Sequence, residues 1–93
     1  MKITADTRIT PHPEVVWRLV EGEVVLLSVT SGEYFSLDAV GSRVWSLIPD
    51  TGVTVGELCV SLSAEFDAPA DAIARDVSAL CDRLVAADLL VAA

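Results

Sequence analysis

Apolar residues come in short blocks over the first third of the chain and recur at helical spacing over the rest. Val15-Val16-Trp17-Arg18-Leu19-Val20 is short and rich in β-branched and aromatic side chains, which predicts a first strand. Glu21-Gly22-Glu23 breaks it. Val24 to Thr30 is apolar at nearly every position and predicts a second strand, central and covered on both faces. Ser31-Gly32 reads as a two-residue turn, with the glycine supplying positive φ. Glu33 to Leu37 predicts a third strand. That turn sets Val29 opposite Tyr34 and Leu27 opposite Ser36, with Phe35 and Leu37 on the other face.

Asp38 is placed to cap a helix carrying Val40, Val44, Leu47 and Ile48 at helical spacing, with Trp45 beside them. Pro49 and Asp50-Thr51-Gly52 end it. Thr54-Val55-Gly56-Glu57 has the form of a capping box and opens a second helix with Leu58, Val60, Leu62 and Phe66. Val60 and Leu62 do not share one stripe. Pro69 suits the first position of a third helix, which runs to about Ala86 on a stripe of Ile73, Val77, Leu80, Cys81, Leu84 and Val85. Leu89-Leu90-Val91 then dock on the core. Residues 1–13 are polar and end in Pro11-His12-Pro13, which favours an extended entry. Strands followed by helices predict an α+β fold, a three-stranded antiparallel sheet with three helices on one face.

Composition narrows the function classes. A chain of 93 residues fits one domain with a modest core. With few aromatics, that core is built from Val, Leu, Ile and Ala. The formal charge is −8, from 14 acids against 6 bases, a field that disfavours phosphate backbones and anionic lipid and favours a basic partner. The bases, Lys2, Arg8, Arg18, Arg43, Arg75 and Arg83, are scattered, and a recognition helix bearing Asp71, Asp76 and Asp82 would meet phosphates badly. The N-terminus has no apolar signal region, and no apolar run reaches the roughly 18 residues of a membrane span. Cys59 and Cys81 sit at apolar helix positions without a CxxC or a Cys/His cluster, which reads as buried free thiols in a reducing cytoplasm. His12, the one histidine, falls in a loop. No phosphate-binding loop, zinc-binding helix motif or nucleophile elbow is present, and the carboxylates Glu57, Asp71, Asp76 and Asp82 fall on helix surfaces. The expectation is a non-enzyme without cofactor or metal.

What remains is an edge. In a three-strand meander the third strand keeps one side unpaired, a template for another chain. With the long third helix beside it, that edge forms a groove where an extended peptide can add as a further strand. Residues 1–13 are the competing cover for the same edge.

At this point the chain resembles a known family. Gly32 through Ile48, GEYFSLDAVGSRVWSLI, resembles the G-x-Y-x-x-L-[ND]-x-x-[GA]-x-x-[IV]-W-x-L-[LI] signature of PqqD-like proteins, the recognition elements of ribosomally made, modified peptides. Thr54-Val55-Gly56-Glu57-Leu58 resembles the family's next helix start. Arg75-Asp76-Val77, Leu80 to Leu84 and Leu89-Leu90 resemble its end, so the likeness covers about residues 13–91. Leu80 and Cys81 stand where the family is often aromatic or leucine, a departure that bears on the groove's shape. Ala87-Asp88 stand where glycine is frequent.

The resemblance implies a winged helix-turn-helix-like fold and one domain over 1–93, with 1–13 as an N-terminal extension. It implies a non-catalytic adaptor that binds the leader of a precursor peptide antiparallel to the third strand. Glu33, Tyr34, Phe35, Ser36 and Leu37 are the strand positions of that site; Asp76, Ala79, Leu80 and Arg83 are those of the third helix. The form is that of the stand-alone leader-binding proteins of lasso peptide pathways, whose leaders often carry Tyr-x-x-Pro. A separate leader peptidase and an ATP-dependent cyclase are then the enzymes served. Three alternatives belong to other classes: a chaperone for a radical SAM peptide-modifying enzyme, a winged-helix nucleic-acid binder, and a homodimer that uses the edge on itself.

Overall fold

In the computed structural model the strands between residues 15 and 36 build a hairpin sheet and the helices close over one face of it. The structure describes residues 3–93, so the polar start at Met1-Lys2 lies outside the described residues. The elements are β1 (Arg8–Pro11), β2 (Val15–Val20), β3 (Glu23–Ser28), β4 (Tyr34–Ser36), α1 (Ala39–Ser46), β5 (Val53–Thr54), α2 (Val55–Glu65), α3 (Ala70–Ala86) and β6 (Leu90–Ala92). They form an α+β fold with two antiparallel sheets, ordered β2-β3-β4 and β5-β1-β6.

The predicted three-strand meander is the first of these sheets. β2 pairs with β3 from Val15↔Ser28 to Val20↔Glu23. The loop between them is Glu21-Gly22, both at positive φ (51° and 83°), as a tight hairpin turn matched to strand twist requires. The register of β4 differs from the sequence expectation. Leu27 faces Tyr34 and Val25 faces Ser36, so the strands are displaced by two residues. The turn is longer than two residues: the Gly32 N–H donates to the Ser28 carbonyl and the Ser28 N–H to the Glu33 carbonyl. Val29 to Gly32 therefore form a four-residue loop. A shift of two keeps every side chain on its expected face. Tyr34 and Ser36 are exposed, while Phe35 is half-buried and Leu37 buried. The expected cover on both faces of β3 is also corrected. Val24, Leu26 and Ser28 are buried, but Val25 and Leu27 are only half-buried, because no helix lies on their side.

The second sheet was not predicted. Residues 8–11 are not a loose extension: β1 is its central strand, pairing Ile9 with Val53 on one side and with Ala92 on the other. Ile9 is wholly buried. The last turn of α3 closes over the left-handed Asp88 (φ 59°), a conformation that Asp tolerates better than most residues. Leu89 and Leu90 turn back into the core as expected, while Val91 stays 42% exposed.

The helices follow most of their sequence signals, but Pro69 stands at the N-cap of α3 and not at its first position, and Phe66 lies just past the end of α2. Asp38 caps α1, its Oδ1 accepting from the Gly41 N–H at 2.7 Å. Thr54 and Glu57 complete the capping box of α2, and the Thr54 hydrogen bonds hold the Glu57 carboxyl below its usual range. α3 presents Ile73, Val77, Leu80, Cys81 and Leu84 inward. They meet Leu26, Val44, Leu58 and Leu62 in one core. Full burial of each such side chain is worth about 1.5–3 kcal/mol. Val60, the residue off the α2 stripe, is 73% exposed.

Candidate functional site

β4 pairs with β3 alone, and among the described residues no other strand meets its outer side. Of residues 1–13, the competing cover, residues 8–11 are used in the second sheet. Two bonds fix which backbone groups point outward. The Ser28 N–H donates to the Glu33 carbonyl (3.0 Å) and the Leu37 N–H to the Val24 carbonyl (2.9 Å), so Glu33 and Leu37 are turned toward β3. Antiparallel pairing alternates, so Phe35 is also turned inward. The N–H and C=O groups of Tyr34 and Ser36 therefore face away from the sheet.

A groove of about 560 Å³ opens at the end of this edge. β4 and the residue after it give Ser36 and Leu37, and the start of α1 gives Asp38, Val40 and Gly41. α3 gives Asp76, Ala79, Leu80 and Arg83, which share one face because they are spaced by three, one and three residues. The floor is apolar. A Cβ on Gly41 would stand 3.2 Å from Asp38 Oδ1 and 3.3 Å from Leu37 Cβ, so a larger residue there would disturb the capped corner. The corner is also held by the buried Ser42. Its Oγ accepts from the Val24 N–H (2.8 Å) and donates to the Leu37 carbonyl (3.1 Å).

Six of the sequence-derived site residues thus meet in the groove: Ser36, Leu37, Asp76, Ala79, Leu80 and Arg83. The other three do not. Tyr34, 72% exposed, stands on the outer face of the sheet, in a shallow hollow with Val16, Arg18, Val25 and Leu27. Phe35 packs against the core, and Glu33 sits just after the loop, its carbonyl bonded to the Ser28 N–H. Sequence reasoning missed Asp38, Val40 and Gly41. Val40 was assigned to the core because it lies one turn before Val44, yet it is 50% exposed and lines the groove.

Among the described residues no three His, Cys, Asp or Glu side chains gather as a metal ion would need. Both cysteines are free. Burial, with a smaller contribution from Cys59, pushes the Cys81 thiol up to about 12, and burial raises that of Cys59 as well. At pH 8 the Cys81 thiol therefore stays protonated and unreactive. Native protein treated with iodoacetamide at pH 8 should label slowly at Cys59 and leave Cys81 unmodified until denaturant is added, as read by intact mass. Fast labelling of Cys81 in the native state would contradict its burial. Among the described residues no helix is long and apolar enough to cross a membrane.

Comparison with known proteins bears on this arrangement. The structure of TbiB1 in complex with the TbiA(beta) leader peptide superposes with a TM-score of 0.81 at 34% identity, over 88% of this chain and 94% of that one. A lasso peptide synthetase B1 complexed with the leader peptide matches with a TM-score of 0.75 at 23% identity, over 94% and 99%, which speaks for the fold. No curated protein sequence matches the chain. The family model described as coenzyme PQQ synthesis protein D (PqqD) matches residues 23–90, from β3 through the first residue of β6 and so across the whole groove. The chain therefore belongs to the PqqD family.

Proposed function

We propose that the chain is a non-catalytic cytoplasmic adaptor, one domain over residues 1–93, that binds the leader of a ribosomally made precursor peptide. The leader adds as a strand on β4, bonding to the outward groups of Tyr34 and Ser36, and seats side chains in the groove against α3. The observation that carries this reading is the unpaired Tyr34/Ser36 edge opening into a groove floored by Leu37, Val40 and Leu80. The 34% identical relative, bound to a leader peptide, supports it. Main-chain bonds supply affinity and the groove supplies register. Ordering a disordered leader costs about 2–5 kcal/mol, so several pockets must act with the ladder. The net charge of −8 speeds capture of a basic leader at low salt. The bound leader is then presented to a separate peptidase and an ATP-dependent cyclase. The PqqD match also suits a chaperone for a radical SAM peptide-modifying enzyme. The two readings share the groove and differ in the precursor served.

The test is a titration of the purified chain with the leader half of the precursor encoded beside its gene, against a scrambled leader and a DNA duplex. Saturable binding of the native leader alone is expected. Equal binding of the scrambled peptide, or tighter binding of the duplex, would refute the adaptor reading.

A further inference from the structure

The groove is not uniformly apolar. Three charged side chains line it: Asp38, Asp76 and Arg83. Asp38 is committed to the α1 cap. Asp76 and Arg83 are exposed, and among the described residues neither side chain makes a hydrogen bond or an ion pair. Seven residues separate them, two helical turns, so they lie on one face of α3 about 10 Å apart. Between them on that face are Ala79 and Leu80. The helix thus shows the groove an acid, an apolar step and a base in a row.

An extended segment on β4 turns alternate side chains toward α3. Positions i and i+4 of such a segment lie about 13 Å apart, a spacing that the two charges can match through flexible side chains, with i+2 between them. We infer that Asp76 and Arg83 are specificity-determining residues that read charge order in the bound segment. The segment they select carries a basic side chain over Asp76, an apolar one over Ala79 and Leu80, and an acidic one over Arg83. This rests on the reading of the groove as the leader site and deepens it. Exposed pairs of this kind add little affinity but penalise the wrong order, because like charges then face each other as the segment docks. A leader selected for its apolar residues alone could dock two residues out of register; the opposed charges at the two ends of the groove disfavour that slip.

The experiment uses the full chain and a fluorescein-labelled leader from the neighbouring precursor, followed by anisotropy. Asp76→Asn and Arg83→Gln should each weaken binding about two- to fivefold. The reversal Asp76→Arg with Arg83→Asp should weaken it about tenfold or more. A panel of leaders with single charges reversed should contain members that bind the reversed protein better than the native leader does. Circular dichroism should be unchanged, since both side chains are exposed. If wild type binds the leader and all three variants bind it equally well, the charge reading is overturned and the leader site stands. If wild type does not bind, both fall.

Discussion

Ser36→Pro should reduce leader binding about a hundredfold while the protein stays folded. The ladder geometry separates the two effects. The Ser36 N–H points away from β3, so replacing it removes nothing from the sheet. Proline is accepted on an edge strand for that reason. An incoming strand would lose the bond to that N–H and meet the pyrrolidine ring instead. An acceptor left unpaired on docking costs about 1–3 kcal/mol, and the ring adds a steric cost. Ser36→Ala keeps the N–H and should bind within about threefold of wild type. Phe35→Pro is the opposite control, because its N–H is turned into the ladder with Leu26 and its loss should unfold the hairpin. Calorimetric titration gives the affinities, and thermal melts confirm that Ser36→Pro remains folded. Undiminished binding by Ser36→Pro would remove strand addition as the mechanism.

That choice between residues was not available from sequence. The spacing of Tyr34, Phe35, Ser36 and Leu37 gave the two faces but not which N–H groups turn outward. That depends on the pairing with β3, and the loop proved to be four residues, not two. Where a signal is local, the reading held. The Asp38 cap, the Thr54–Glu57 box and the α3 stripe each lie within a few residues, and the structure places them as read. The groove residues of α3 were legible because helical spacing puts positions 76, 79, 80 and 83 on one face. The second sheet was not. Its strands have four, two and three residues, too short for alternation to register, and β1 pairs with partners more than 40 residues away in the chain. Pro11-His12-Pro13 read only as an extended entry, and Pro11 stands at the end of the β1 pairing, where its missing N–H is tolerated. Val40 failed differently: its spacing fits the core stripe, but the helix starts at the groove and its first turn has no partner there.

Ser42→Ala should lower stability by about 2–3 kcal/mol and weaken leader binding in the protein that remains folded. Val24 and Leu37 are opposite each other at the end of the β3–β4 ladder, and only one bond joins them directly, from the Leu37 N–H to the Val24 carbonyl. The second bond is relayed. The Val24 N–H donates to the Ser42 hydroxyl, and that hydroxyl donates to the Leu37 carbonyl. The hydroxyl oxygen stands between the strands where β4 turns into α1 and ties down Leu37, which lines the groove. Alanine leaves two buried backbone groups without partners, each worth about 1–3 kcal/mol, and some of that is recovered if the strands close to bond directly. The melting temperature should therefore fall by about 10–20 °C for a domain of this size. Closure would draw Leu37 toward β3 and reshape the groove, so affinity should drop as well, by an amount that Ser46→Ala on the exposed side of the same helix does not reproduce. A melting temperature within about 2 °C of wild type would show that the hydroxyl relay does not hold the corner. The expected loss of about 2–3 kcal/mol with unchanged affinity would show that the corner and the groove are independent.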